Sequence, residues 1–323
     1  MISFPAGETV SSGTHFTEAT FREVEAALDA RQCPEGRLDL EFHDTRLTCL
    51  VHHGRPYLAG LLESRDYSRV PLVDFPLRAR QLEGASWRLA RTDLSEVMIL
   101  GVHFCRRPVL QGSTRWIDIQ HVLASLAADR SDAALAFERN GMRTLVFLHQ
   151  GVPARIFFAD QQDDPGEGSI ADRLLIHAFD PAVAEGWLEV FTDLKLSADA
   201  DAGRSLVELA QEAKPPPPVN LVVRLGDGRE VTDRPFTPPV VSIGRDQRSD
   251  IFLDNLAVSR RHATIAWERG GFVVRDAGSA NGTRLNGKQV NSAPVGPGDR
   301  IEVGKFEISL VEPQAAGDVS ETM

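Results

Sequence analysis

Apolar positions along the chain follow changing rhythms. Phe21, Val24, Ala27 and Leu28 recur at the spacing of one helix face. Thr17 stands at the N-cap, and Thr20 takes the position where a capping box carries Glu or Gln. Cys33-Pro34-Glu35-Gly36 stops this helix. Leu38, Leu40 and Phe42 then alternate with charged residues, the rhythm of a half-buried strand. Residues 47–51 and 57–62 read as two more strands around the turn His52-His53-Gly54-Arg55-Pro56. A helix is expected over residues 72–82, and the continuous apolar run 97–104 reads as another strand.

The order then recurs. Residues 117–128 predict a helix, with Ile119, Val122, Leu123 and Leu126 on one side. Strands follow at 133–137, 144–148 and 154–159, with an Asn140-Gly141 hairpin turn. His149-Gln150-Gly151-Val152-Pro153 matches His52-His53-Gly54-Arg55-Pro56, Phe137 matches Phe42, and Val122/Leu126 match Val24/Leu28. This is the pattern of an internal duplication. Ser169 caps a further helix over 170–179, with Asp172 in its first turn. Residues 181–196 again show helical spacing, and 205–213 read as one short exposed helix. The proline run 215–218 forms a stiff extended spacer.

Beyond it the rhythm changes to short strands at close spacing with turn signals between them, as in a β-sandwich. Gly226-Asp227-Gly228, Arg269-Gly270-Gly271, Leu285-Asn286-Gly287-Lys288 and Pro297-Gly298-Asp299 mark turns, and no helix is required. The expected organisation is therefore multi-domain. An α+β module spans 1–110 and a related α+β module 111–196. A linker with the proline run follows at 197–218, then an all-β sandwich at 219–313 and a flexible tail at 314–323.

Composition adds limits. The 323 residues carry a net charge of −11, of which residues 1–218 hold −10 and residues 219–313 hold +1. An acidic N-terminal block argues against nucleic acid or an anionic membrane as its partner. The three cysteines show no C-x-x-C spacing, so neither a disulfide framework nor a zinc motif is read. Residues 1–15 lack the charged start and apolar run of a signal peptide, and no run reaches a membrane span. A cytoplasmic protein without membrane insertion is expected.

Candidate chemistry in residues 1–218 is thin. His52 and His53 adjoin, and alternation along a strand would send them to opposite faces. His103 and Cys105 would share a strand face but make only two ligands, so no metal is expected. His43, His52, Glu41 and Asp44 have no spacing that demands acid–base work, and the acidic loop 164–168 is poorly suited to phosphate. No nucleophile-elbow, phosphate-loop or zinc-protease motif occurs. No catalytic residue and no cofactor is assigned.

The second module resembles bacterial PATAN-like modules in its helix, its hairpin containing Gly151 and the helix after Ser169. That resemblance implies a role in interaction rather than catalysis. Residues 219–313 resemble a forkhead-associated (FHA) domain. The motifs that carry the resemblance are Ile243-Gly244-Arg245, Ser259-Arg260-Arg261-His262, residues 276–283 ending in Asn281-Gly282-Thr283, and Leu285-Asn286-Gly287. It implies binding of phosphothreonine peptides by loops at one end of the sandwich. Arg245 would then reach a phosphate oxygen, and Ser259 would donate its hydroxyl. Arg260 would supply a second cation, and Asn281 would hold the peptide backbone. Gly244, His262 and Gly282 would shape the loops. Ala280 departs from the family's frequent Ser or Thr, so one phosphate contact is lacking.

The function expected is that of a non-enzymatic signalling adaptor downstream of bacterial-type Ser/Thr kinases. Its partners are a threonine-phosphorylated protein or peptide and the kinase or its substrates. The alternative is a ligand sensor or enzyme in the N-terminal region that the FHA domain localises. A phosphorylated Thr of the chain itself is a third possible occupant.

Overall fold

The structure is a computed structural model that describes residues 4–63, 66–82, 84–159, 164, 166–178, 186–236 and 240–312. The chain divides between Ala213 and Lys214 into two compact units.

The first unit contains two antiparallel sheets. The first is built from Glu8–Gly13 (β1), Glu35–Phe42 (β2), Thr45–His52 (β3), Arg55–Glu63 (β4), Asp66–Val70 (β5) and Ser86–Arg91 (β6), in the order β1-β6-β2-β3-β4-β5. Helices Glu18–Asp29 (α1) and Phe75–Gln81 (α2) pack on one face. Alternation along the strands sends Leu38, Leu40, Leu47, Cys49 and Ala59 into the cluster with Phe21, Leu28 and Phe75. Thr17 does precede α1, and the Thr20 hydroxyl accepts its N–H at 3.0 Å. The same strands present Leu50, Leu58 and Leu62 on the opposite face.

That opposite face explains why the apolar run 97–104 has the pattern of a strand. Residues 97–104 are not a strand. They lie in the helix Leu94–Cys105 (α3), started by the Asp93 carboxylate, which accepts the Ser95 N–H at 2.7 Å. Val97, Leu100 and Phe104 share one core with Leu50 and Leu58 of the first sheet and Ala134, Leu145 and Phe191 of the second. A helix packed on two sides is apolar nearly all round, which erases the periodicity that would reveal it. Gly60 is the point of closest approach, since a Cβ there would come 2.2 Å from the Phe104 ring.

The second sheet comprises Leu110–Ser113 (β7), Ala133–Arg139 (β8), Met142–His149 (β9), Val152–Phe157 (β10) and Trp187–Phe191 (β11), in the order β10-β9-β8-β11-β7. Helices Ile119–Ala128 (α4) and Ile170–Ala178 (α5) accompany it. The helix expected over 181–196 is absent at 187–191, which is β11, while 179–185 lie outside the described residues. Leu188 and Val190 enter the core with Ile119 and Leu174, whereas Phe191 enters the α3 core. A strand buried on both faces loses simple alternation, and here the residual spacing mimics a helix.

Residues 197–213 are not a linker. Leu206–Glu212 (α6) is capped by Ser205, whose hydroxyl accepts from Val207 and Glu208, and the Glu25 carboxylate accepts the Leu206 N–H at 2.8 Å. Leu206 and Leu209 are fully buried beside Phe21 and Leu72. Each contributes roughly 1.5–3 kcal/mol by burial, so this helix is part of the first unit's core.

The second unit is all strand among its described residues: Asn220–Leu225 (β12), Glu230–Pro235 (β13), Val240–Gly244 (β14), Ile251–Phe252 (β15), Ala263–Glu268 (β16), Gly271–Asp276 (β17), Thr283–Leu285 (β18), Lys288–Val290 (β19), Ser292–Val295 (β20), Ile301–Val303 (β21) and Phe306–Val311 (β22). They form the sheets β13-β12-β22-β21-β18-β19 and β15-β14-β16-β17-β20. Leu221, Val223, Val241, Ile265, Val274, Ile301 and Ile308 are fully buried, as the inward positions of strands in a sandwich are. The Trp267 indole donates to the Lys214 carbonyl at 2.9 Å and anchors the chain ahead of β12. No helix among the described residues is long and apolar enough to cross a membrane.

Candidate functional site

Three loops of the second unit meet around His262. Strand β14 ends at Gly244 and delivers Arg245, whose N–H donates to the Ser259 carbonyl at 2.9 Å. Asp246 N–H donates to the Arg260 carbonyl at 3.1 Å, so the first two loops are laced backbone to backbone. Gly244 permits this approach. A Cβ there would stand 2.1 Å from the Arg260 carbonyl oxygen, against backbone that cannot swing aside.

His262 is fully buried and joins all three segments. Its Nδ1 accepts from the Ser259 N–H at 3.1 Å, and its own N–H donates to the Ile243 carbonyl at 2.9 Å. With Nδ1 accepting, Nε2 carries the proton and donates to the Gly282 carbonyl at 3.2 Å. Both ring nitrogens are thereby spent on backbone, which makes the residue a clamp.

The third loop is folded around Asp276. Its carboxylate accepts from Gly278 N–H, Ser279 N–H, the Ser279 hydroxyl and the Thr283 hydroxyl, at 2.6–2.8 Å. Burial pushes this carboxyl up, but the bonds from Ser279, Thr283 and Gly278 outweigh it and hold it below its ordinary range. Gly282 completes the turn at φ +76°. Asp276 and Ser279 were legible only as parts of a motif. The signal for their structural role was the Asp-x-Gly-Ser order, which favours turns closed by the side chain on nearby N–H groups.

These loops bring Arg245, Ser259, Arg260 and Asn281 together. Ser259 is half-buried and the other three are exposed. The Ser259 oxygen accepts the Ala280 N–H at 3.0 Å, which leaves its O–H free to donate. Asn281 donates its side-chain amide to the Ala257 carbonyl at 2.8 Å and keeps its side-chain carbonyl as an acceptor. Among the described residues, neither the Arg245 nor the Arg260 guanidinium is tied into an ion pair.

Other expected residues are placed differently. His103 and Cys105, read as sharing a strand face, lie two apart on α3 and point to different sides. Burial, with Arg143 adding to it, pushes His103 down to about 3. His52 and His53 do not point to opposite faces. Strand β3 ends at His52, and His53 enters the turn at φ +53°, so the two rings stack with centroids 3.9 Å apart. In the acidic loop Asp164 pairs with Arg173, and Ser169 and Asp172 bond reciprocally at the start of α5. Asp163 and Pro165 lie outside the described residues.

Known proteins resemble the same part of the chain. The FHA domain model matches residues 241–304. The glycogen accumulation regulator GarA of Mycobacterium tuberculosis is 39% identical over 132 residues, covering 40% of this chain and 79% of GarA. The oxoglutarate dehydrogenase inhibitor of Corynebacterium diphtheriae is 37% identical over 123 residues, covering 37% of this chain and 83% of the inhibitor. Among solved structures, the FhaA FHA domain complexed with the intracellular domain of Rv3910 is 33% identical, with a TM-score of 0.25, covering 28% of this chain and 98% of its own.

Proposed function

This chain belongs to the FHA-domain family, and from that premise we propose that its C-terminal unit docks on threonine-phosphorylated protein segments. The observation that carries the reading is the set Arg245, Ser259, Arg260 and Asn281, held on loops that His262 locks while the donors of the first three and the Asn281 side-chain carbonyl stay uncommitted.

A phosphothreonine brings about −1.5 to −2 charges and three strong acceptor oxygens. Arg245 supplies a planar fork of donors to those oxygens, and Arg260 a second cation. The Ser259 hydroxyl, its oxygen already held by Ala280, points its hydrogen to a third acceptor. Asn281 accepts an N–H of the bound peptide with its free carbonyl. Each hydrogen bond to the charged group is worth roughly 1.5–3 kcal/mol, which after ordering costs suits reversible micromolar recognition. In this reading Ser/Thr kinases and their substrates are the partners, and the protein acts as an adaptor.

The N-terminal unit is read as an interaction module made of two copies of one element order. Two features support this. In each sheet the first strand, a helix and a meander, of four strands in the first sheet and three in the second, are followed by a helix and a last strand that inserts between the first strand and the meander. The turns after β3 and β9 also match, with positive φ at His53, Gly54, Gln150 and Gly151 and a bulge just past Pro56 and Pro153. Its buried carboxylates Asp39, Glu96, Glu138 and Glu189 pair with Arg37 and Arg143, which disfavours an acid–base role for them.

The test is titration of the full chain with threonine-phosphorylated peptides and their unmodified counterparts. Binding is expected for the phosphorylated series alone, and equal affinity for both would sink the reading.

A further inference from the structure

The geometry points to a second, separate site: a Zn²⁺-binding site formed by Glu35, His52 and His53 at the turn between β3 and β4. Three ligand atoms, one from each residue, lie within 4.8 Å of one another. The sheet register pairs Glu35 directly with His52, so the carboxylate is placed by backbone hydrogen bonding. His53 joins them because it has left the strand. At φ +53° its ring turns back beside His52. The Glu35 oxygens then stand 2.8 Å from His52 Nδ1 and 3.6 Å from His53 Nδ1.

Two imidazoles and one carboxylate are a donor set that Zn²⁺ takes, with water in the fourth position. Zinc–ligand bonds of about 2.0–2.2 Å in a tetrahedron separate neighbouring ligand atoms by roughly 3.3–3.6 Å. His53 Nδ1 meets that spacing to Glu35 Oε1, while His52 Nδ1 faces Oε2, so the carboxylate must turn to set one oxygen against both rings. His53 is 81% exposed, so the ion has an open approach and room for its water, while Glu35 and His52 are largely covered.

The second sheet supplies an internal control. Asp132 accepts the Gln150 N–H at 2.7 Å and pairs with His149 Nδ1 at 3.0 Å, as Glu35 does with the His53 N–H and His52 Nδ1. A carboxylate–histidine pair that holds the turn is therefore common to both hairpins, and turn-holding alone explains it. The third donor is not common: Gln150, a neutral amide, occupies the turn position of His53. Holding the turn uses only the His53 backbone N–H, and the imidazole beside it is surplus to that task.

Equilibrium dialysis of the full chain against ZnCl₂ at neutral pH tests the assignment. One equivalent is expected to bind, with affinity reduced roughly tenfold or more in His53→Gln, the scale on which disturbing a metal's ligand environment acts. His53→Gln copies the residue that the second hairpin tolerates at the same φ, so the variant keeps the turn. His149→Gln is expected to bind as the parent does. Absence of a saturable equivalent, or unchanged binding in His53→Gln, overturns the proposal. Histidine ring NMR signals that shift with zinc at His52 and His53 but not at His149 would support it.

Discussion

Arg37 and Arg245 carry the same side chain in opposite circumstances. Arg37 is 1% exposed, and its guanidinium is divided between Asp39, Glu96 and the Pro5 carbonyl. Arg143 repeats the arrangement in the second sheet, bonded to Glu138 at 2.8 Å and Glu189 at 3.0 Å, with the Tyr67 ring 5.0 Å away. Arg245 and Arg260 are exposed and keep their hydrogen-bonding capacity. Net charge misses this difference, because it counts Arg37 and Arg143, whose charge is consumed internally, the same as Arg245 and Arg260. What distinguishes a reader from a scaffold here is whether the cation's donors are already satisfied. A buried guanidinium left without partners would be costly, whereas an exposed one stays hydrated until an anion replaces the water.

The comparison breaks most visibly at Arg37. Arg37→Ala strands Asp39 and Glu96 in the core, and losing one member of a buried pair costs about 3–5 kcal/mol. Burial already pushes the Glu96 carboxyl up, with Arg37 opposing it, so removing the guanidinium leaves the acid unsupported. Hydrogen exchange followed by mass spectrometry should show faster exchange in β2, β3 and β6 and unchanged exchange over residues 240–311. Parent-like protection in β2 would show that the network is dispensable.

At Arg245 the effect should appear in binding and not in stability. Arg245→Ala removes two prospective charge-assisted bonds, worth together about 3 kcal/mol or more, which is roughly a hundredfold or more in affinity. An exposed side chain of this kind changes folding stability by only about 0.5 kcal/mol. Calorimetric titration with a phosphothreonine peptide, alongside thermal unfolding, separates the two. A variant that loses stability and binding together would place Arg245 with Arg37, as a structural residue.

The two units also differ in how far their sequences could be read. In the sandwich most strands have one buried face and most turns carry Gly, Asn or Asp, so alternation and turn chemistry survive in the sequence. The loop residues were legible for the same reason, because backbone constraints at Gly244 and Gly282 leave local marks. In the first unit α3 and β11 are covered on two sides, and the periodicity that distinguishes helix from strand disappears. Strand β1 has exposed and half-buried positions only, which leaves no apolar pattern to find. The α6 segment is short and offers Leu206 and Leu209 as its fully buried anchors, too few to separate a docked helix from a linker without the surface it meets. His53 departs from the strand pattern for another reason: alternation stops at His52, and His53 enters a turn at positive φ.

Ala280 probes the smallest difference, inside the reading site itself. Its N–H already fixes the Ser259 oxygen, and its methyl group is exposed on the loop that presents Asn281. Ala280→Ser adds a hydroxyl there without asking the backbone to move. One further bond to the phosphate contributes about 0.5–1.5 kcal/mol net, so affinity should rise roughly twofold to tenfold. The gain should vanish when the peptide is unphosphorylated, and also when Ser259→Ala removes the hydroxyl that Ala280 positions. A rise that persists in unmodified peptides would mean that the new hydroxyl meets peptide backbone. The loop ending in Asn281 would then read the chain, with the phosphate left to Arg245, Ser259 and Arg260.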